Sequence, residues 1–145
     1  VKSPATACYY YNNYDKTRST FIGEWVRTGD LARYNDNGNL EFIGRVDDVF
    51  KVKDLIVSPV EIESVISQFA TVDQVLVTGV ENIKNEKEIH AFVVTTEQFS
   101  MPEFKEFLSK TLFSHQIPKV IHIVDALPET MTNKKDRRTA AKNVS

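Results

Sequence analysis

The stretch "GRVDDVFKVKDLIVSPVEIE", Gly44 to Glu63, sets Arg45, Asp47, Asp48 and Lys51 close together just ahead of a helix-like run. Charges grouped this way suit a nucleotide contact; the plain alternative is a solvated turn. Asp30, which closes "WVRTGD", either caps a turn or offers a carboxylate that only accepts hydrogen bonds. Near the C-terminus, "NKKDRR" suits a polyanion or a solvated helix end. Other chemistries find less support. His90, His115 and His122 are scattered and Cys8 is the single cysteine, so no metal site is expected. No serine has a nucleophile-elbow context, so no triad is expected. The carboxylate pairs Asp47–Asp48 and Glu61–Glu63 read as caps and solvated groups. The five glycines fit neither a P-loop nor a dinucleotide fingerprint, so a loop that cradles a triphosphate is not expected in this chain.

The elements that must hold these groups follow from local pattern. "LARYNDNGNLEFI" contains two strand-like runs around Asn37-Gly38, a hairpin turn signal. With Asn37 and Gly38 as a two-residue loop, Asp36 faces Asn39, and counting back along the ladder puts Asp30 opposite Arg45. Ser58, Pro59 and Glu61 form a capping-box start, followed by Val60, Ile62, Val65, Ile66 and Phe69 at helical spacing. Residues 72–80 and 88–96 read as strands. Ser100 and Glu103 form a second capping box before a helix through Phe104, Phe107, Leu108 and Leu112. "KVIHIV" reads as a third strand, and a polar loop then leads into a short C-terminal helix. Alternating helix and strand imply a small α/β or α+β sheet, with a boundary at Val46 to Asp48. Residues 1–24 are aromatic and polar without clear period, like the torn edge of a larger domain: a loop and a short helix.

The bulk numbers set outer limits. The chain has 145 residues, 41% hydrophobic and 26% charged, the mix of a soluble globular protein. A net charge of -2 gives no broad basic field for nucleic acid. Apolar runs such as "LIV" and "AFVV" are too short to cross a bilayer, and no targeting segment opens the sequence. With one cysteine, a reducing compartment and a cytoplasmic location are the expectation.

Taken in order, four blocks resemble the AMP-forming acyl- and aryl-CoA synthetases of the adenylate-forming superfamily. "WVRTGD" is like that family's ribose-binding block and "GRVDDVFKV" like its hinge block. "SPVEIE" resembles the opening helix of its mobile C-terminal domain, and "LPETMTNKKDR" its catalytic-lysine loop. The first thirty residues look like the matching stretch in benzoate-CoA ligase relatives. The resemblance covers almost the whole chain.

The resemblance implies an α+β fold: residues 1–46 as the C-terminal edge of a large adenylation domain (a loop plus a β-hairpin), and residues 47–145 as a mobile C-terminal domain with a short sheet flanked by helices. It implies a carboxylate–CoA ligase that uses ATP, Mg²⁺ and coenzyme A on a small carboxylic acid such as benzoate, with the missing N-terminal domain as partner. Neither nucleic acid nor membrane is implied, and the fragment alone is expected to be inactive. Asp30 and Arg45 would contact the ribose of ATP. Asp47 would be the hinge, and Lys134 would contact the substrate carboxylate and the α-phosphate. Arg137 would orient the loop or pair with an acid. Lys51 and Asp54 would lie along the route to CoA, Lys51 equally as a structural residue. The family usually has glycine at Asp54 and at Asn133; Asp and Asn tolerate positive φ better than other side chains. A carboxylate at Asp54 adds bulk and charge near the thiol route. The alternatives are an enzyme loading a carrier-protein pantetheine arm, and a non-catalytic α/β interaction domain with a vestigial lysine loop.

Overall fold

A computed structural model of the chain describes residues 1–131 and 134–144. The chain divides into two compact units, Val1–Val46 and Asp47–Ser145.

The first unit opens with a short helix, α1 (Tyr14–Thr20), whose N-cap Asn13 accepts from the Lys16 amide. A tight turn at Gly23 then joins β1 (Phe21–Ile22) to β2 (Trp25–Val26), a pairing that the aromatic, non-periodic sequence does not announce. β3 (Asp30–Tyr34) and β4 (Leu40–Arg45) form the expected antiparallel hairpin. Its loop differs from expectation. Asn35 and Asn39 close it, so three residues span the turn, with Gly38 at φ +76°. Asn35 Oδ1 accepts from the amides of Asn37 and Asn39, which makes the asparagine side chain part of the turn. The longer loop moves the register by one, to Tyr34 opposite Leu40. A bulge between Leu31 and Ala32 moves it back, and Asp30 faces Arg45 after all.

The second unit begins with another hairpin, β5 (Phe50–Val52) and β6 (Leu55–Val57). Its two loop residues, Lys53 and Asp54, have φ of +47° and +67°, the left-handed pair a two-residue turn demands. α2 (Pro59–Ile66) starts at Ser58, whose hydroxyl accepts from the Glu61 amide, with Pro59 in the first turn. The helix stops before Phe69, which still packs on the core. β7 (Val72–Glu81) and β8 (Lys87–Thr95) are antiparallel. α3 (Met101–Thr111) follows, and β9 (Val120–Ile123) runs parallel to β8, giving the order β7-β8-β9. Ser100 is the N-cap of α3, yet its side chain makes no cap hydrogen bond, so the second capping box is not formed from its hydroxyl.

Both faces of this sheet are covered. Val75, Val77, Ile89, Ala91 and Val93 pack with Ile62 and Ile66 of α2 and with Phe104 and Leu108 of α3. On the alternate positions, Leu76 and Phe92 pack with Leu127 and with Ala140 of α4 (Arg137–Lys142). The strand period of two sends neighbouring residues to opposite faces, so apolar runs such as "VLV" and "AFVV" fill both cores. Phe50 of β5 lies against Gly79 of β7 so closely that a Cβ there would meet the ring at 2.8 Å. Among the described residues no helix is long and apolar enough to cross a membrane.

Candidate functional site

In the first unit the open end of the β3–β4 hairpin carries Asp30 and Arg45. Arg45 Nη1 donates to Asp30 Oδ1 at 3.4 Å, and Nη2 donates to the Thr28 carbonyl at 3.4 Å. Gly29, at φ +78°, makes room for this, because a Cβ there would sit 3.1 Å from Arg45 Nη2. The Asp30 amide is held by Thr28 Oγ1. Both side chains remain open to solvent, 41% for Asp30 and 54% for Arg45. The carboxylate and guanidinium are therefore paired, oriented and still reachable by a ligand.

The remaining residues singled out from the sequence belong to the second unit. Asp47 begins it, in the turn that precedes β5. Lys51 lies on β5 opposite Ile56 and is exposed; Asp54 is in the β5–β6 turn, also exposed. The positive φ expected for Asp54 is found there.

Lys134 is exposed and ends a small hairpin. The Thr130 amide donates to the Lys134 carbonyl at 2.7 Å, and the Lys134 amide donates to Thr130 Oγ1 at 3.2 Å. Glu129 and Lys135 form the bridge below. Asn133 lies outside the described residues. The hairpin is fastened on its C-terminal side. Lys135 Nζ donates to the Val75 carbonyl of β7 at 2.8 Å, and the Asp136 amide donates to the Pro128 carbonyl. Asp136 then caps α4, accepting from the Arg138 and Thr139 amides and the Thr139 hydroxyl. Those bonds, Thr139's foremost, hold its carboxyl below the usual carboxylate range.

Arg137 finds an acid, as the sequence allows, and the acid is Glu63 of α2. Arg137 Nη2 donates to Glu63 Oε2 at 2.8 Å, and the Val77 amide of β7 donates to Glu63 Oε1 at 2.7 Å. Both side chains are largely buried, 15% and 13% exposed. The expectation that Glu63 is a solvated carboxylate is thus corrected. Glu63 follows the buried Pro59 at i+4 spacing, on the inward side of α2, and its partner lies 74 residues away. Burial pushes the Glu63 carboxyl above its usual range, and Arg137, the Val77 amide and Lys135 pull against that. Among the described residues Arg137 Nε is buried with no hydrogen-bond partner.

His90 and His122 meet through Nδ1 and Nε2 at 3.0 Å on adjacent strands, and His122 stacks on Phe92. Among the described residues no three of His, Cys, Asp and Glu converge on one point. A hollow of about 370 Å³ between α3 and β9, lined by Met101, Lys105, Leu108 and Ile117 among others, contains none of the candidate residues.

The fold and the site define a small α+β domain that presents a lysine hairpin at the edge of a mixed sheet, preceded by a hairpin carrying an acid–guanidinium pair. The sequence pattern of the AMP-binding enzyme C-terminal domain matches residues 61–134, and the chain belongs to that family. It is 35% identical over 142 residues to benzoate–CoA ligase of Thauera aromatica, covering 94% of this chain and 27% of that protein. It is also 33% identical over 136 residues to tyrocidine synthase 3 of Brevibacillus parabrevis, covering 89% of this chain and 2% of that protein. A solved benzoate CoA ligase from Burkholderia xenovorans LB400 superposes with a TM-score of 0.85 at 38% identity, over 97% of this chain and 29% of that one. The chain therefore spans about a quarter of the length of the CoA ligases it matches.

Proposed function

We propose that this chain is the C-terminal portion of an ATP-dependent, AMP-forming carboxylate–CoA ligase acting on an aromatic acid such as benzoate. Residues 1–46 are the last strip of its large N-terminal domain, and residues 47–145 its mobile C-terminal domain. The observation that carries the reading is the Asp30–Arg45 pair, set opposite each other at the open hairpin end and left accessible. Asp30 accepts the two ribose hydroxyls of ATP, and Arg45 fixes the carboxylate while reaching the ribose or a phosphate oxygen. The substrate carboxylate attacks the α-phosphorus and pyrophosphate leaves; Lys134 offsets the charge on carboxylate and α-phosphate as that bond forms. Rotation about Asp47 then exchanges faces of the small domain, and a thiolate attacks the acyl carbon with loss of AMP. Mg²⁺ accompanies the triphosphate. Lys51 and Asp54 lie along the thiol's approach, and the location is cytoplasmic.

The test is Lys134→Ala in the full-length protein, read by pyrophosphate exchange. Adenylation should fall roughly 10²–10³-fold, the scale for removing one charge-stabilising group. Unchanged exchange would leave a non-catalytic domain with a relic loop. The match to a tyrocidine synthase favours one rival, in which the thiol belongs to a carrier-protein pantetheine arm. Supplying CoA and a loaded carrier in parallel separates the two acceptors. The 145 residues alone should turn over neither.

A further inference from the structure

We infer that Glu63 is a positioning residue for Lys134: its one carboxylate joins α2, the edge of β7 and the base of the lysine hairpin into a single mount. Among the described residues β7 is the outer strand of its sheet, so its outward amides and carbonyls have no strand to pair with. Two of them are met by side chains instead. The Val77 amide donates to Glu63 Oε1, and the Val75 carbonyl accepts from Lys135 Nζ, the residue next to Lys134. The other oxygen, Glu63 Oε2, takes the Arg137 guanidinium three residues beyond Lys134. Lys134 itself is exposed, and its own backbone bonds run to Thr130 within the same hairpin. Lys135 on β7 and Arg137 on Glu63 thus tie this hairpin to the body of the domain by charged side chains, beside the apolar packing of Leu127 at its start. A buried pair of this kind adds little net stability over an apolar pair of equal volume. Its value is directional, since a carboxylate satisfied on both oxygens leaves Arg137 one place to be.

This assignment rests on the proposed role of Lys134 in adenylation, and the experiment separates the two. In the full-length protein, pyrophosphate exchange is measured with ATP and a panel of aryl and alkyl carboxylates. Thioester formation is measured from supplied acyl-adenylate and CoA. Glu63→Gln should lower exchange roughly 10- to 100-fold, the scale for misplacing a reacting group by about 1 Å. KM for ATP and the thioester step should stay unchanged. In a Lys134→Ala background, Glu63→Gln should cause no further loss, because it acts only through the lysine. If Lys134→Ala itself leaves exchange intact, or no carboxylate supports exchange, the proposed function fails and this inference with it. If Lys134→Ala abolishes exchange while Glu63→Gln leaves it intact, depresses both half-reactions equally, or adds to Lys134→Ala, the positioning role alone is overturned. Should Glu63→Gln not fold, Glu63→Gln with Arg137→Met removes both charges of the pair and keeps the interior free of a lone ion. That protein should show the same selective loss of exchange, and full exchange would overturn the assignment.

Discussion

Asp30 and Arg45 are 3.4 Å apart and both substantially exposed. Exposed pairs of this kind contribute about 0–1 kcal/mol, so stability gives little reason for the arrangement. Asp30→Ala should therefore leave the melting temperature of the full-length protein nearly unchanged. It should raise KM for ATP roughly 10- to 100-fold, the scale of charge-assisted hydrogen bonds worth about 1.5–3 kcal/mol. A lower melting temperature with KM unmoved would make the pair structural. His90 and His122 pose the opposite case. Burial pushes both imidazoles below their usual value of 6.5; for His90 the nearby His122 and Lys119 add to it and Glu88 opposes it. The folded state then binds these protons less readily than the unfolded chain. Their contribution to stability is complete above 6.5 and is lost as pH falls through 6.5 towards the depressed folded values. Urea unfolding of the chain at neutral and mildly acidic pH should show that loss, and His90→Gln should flatten it. An equal slope in the variant would place the acid sensitivity elsewhere.

At the scale of elements, local chemistry speaks clearly where a segment folds on its own neighbours. Asn37-Gly38 marks a hairpin, Ser58-Pro59 a helix start, and short apolar runs rich in valine and isoleucine the three strands of the sheet. The length of the turn is less legible, because the Asn35 side chain closes a longer loop; a bulge near Ile43 cancels the shift and brings Asp30 back to Arg45. That bulge has no signature in the residues. Glu63 escapes a local reading for a similar reason: spacing within "VEIE" describes a helix start and is silent on a guanidinium 74 residues away. Gly79 is a third such case. Its backbone has ordinary φ, and its lack of a side chain matters only because Phe50 of β5 lies on it. An added methyl would meet that buried ring 2.8 Å away, with the core on the other side. Gly79→Ala should destabilise the domain by about 1–3 kcal/mol, the usual cost of overpacking. Pairing it with Phe50→Leu should recover part of that loss in a double-mutant cycle. Simple additivity would mean the two residues do not press on each other in solution.

The two units differ in the way that decides whether a chain segment can fold alone. Among the described residues of Val1–Val46, Gly44 alone is buried, while Tyr9, Tyr11, Tyr14, Trp25, Tyr34, Leu40 and Phe42 are exposed. Two small hairpins and a seven-residue helix with no buried side chain cannot offset the conformational entropy of ordering them. Asp47–Ser145 instead buries two clusters, one on each face of its sheet, with helices α2, α3 and α4 supplying the cover. A domain of about 100 residues with such a core is within the size that folds independently. Residues 47–145 expressed alone should therefore unfold in one cooperative thermal step. Residues 1–46 alone should show no cooperative step, because their aromatic side chains form no buried core of their own. The measurement is circular dichroism against temperature for each piece, with tryptophan emission reporting Trp25 in the shorter one. A cooperative melt from residues 1–46 would argue against their being the edge of a larger domain. Loss of cooperativity in residues 47–145 would mean that the lysine hairpin and its Glu63 mount depend on the first unit for their shape.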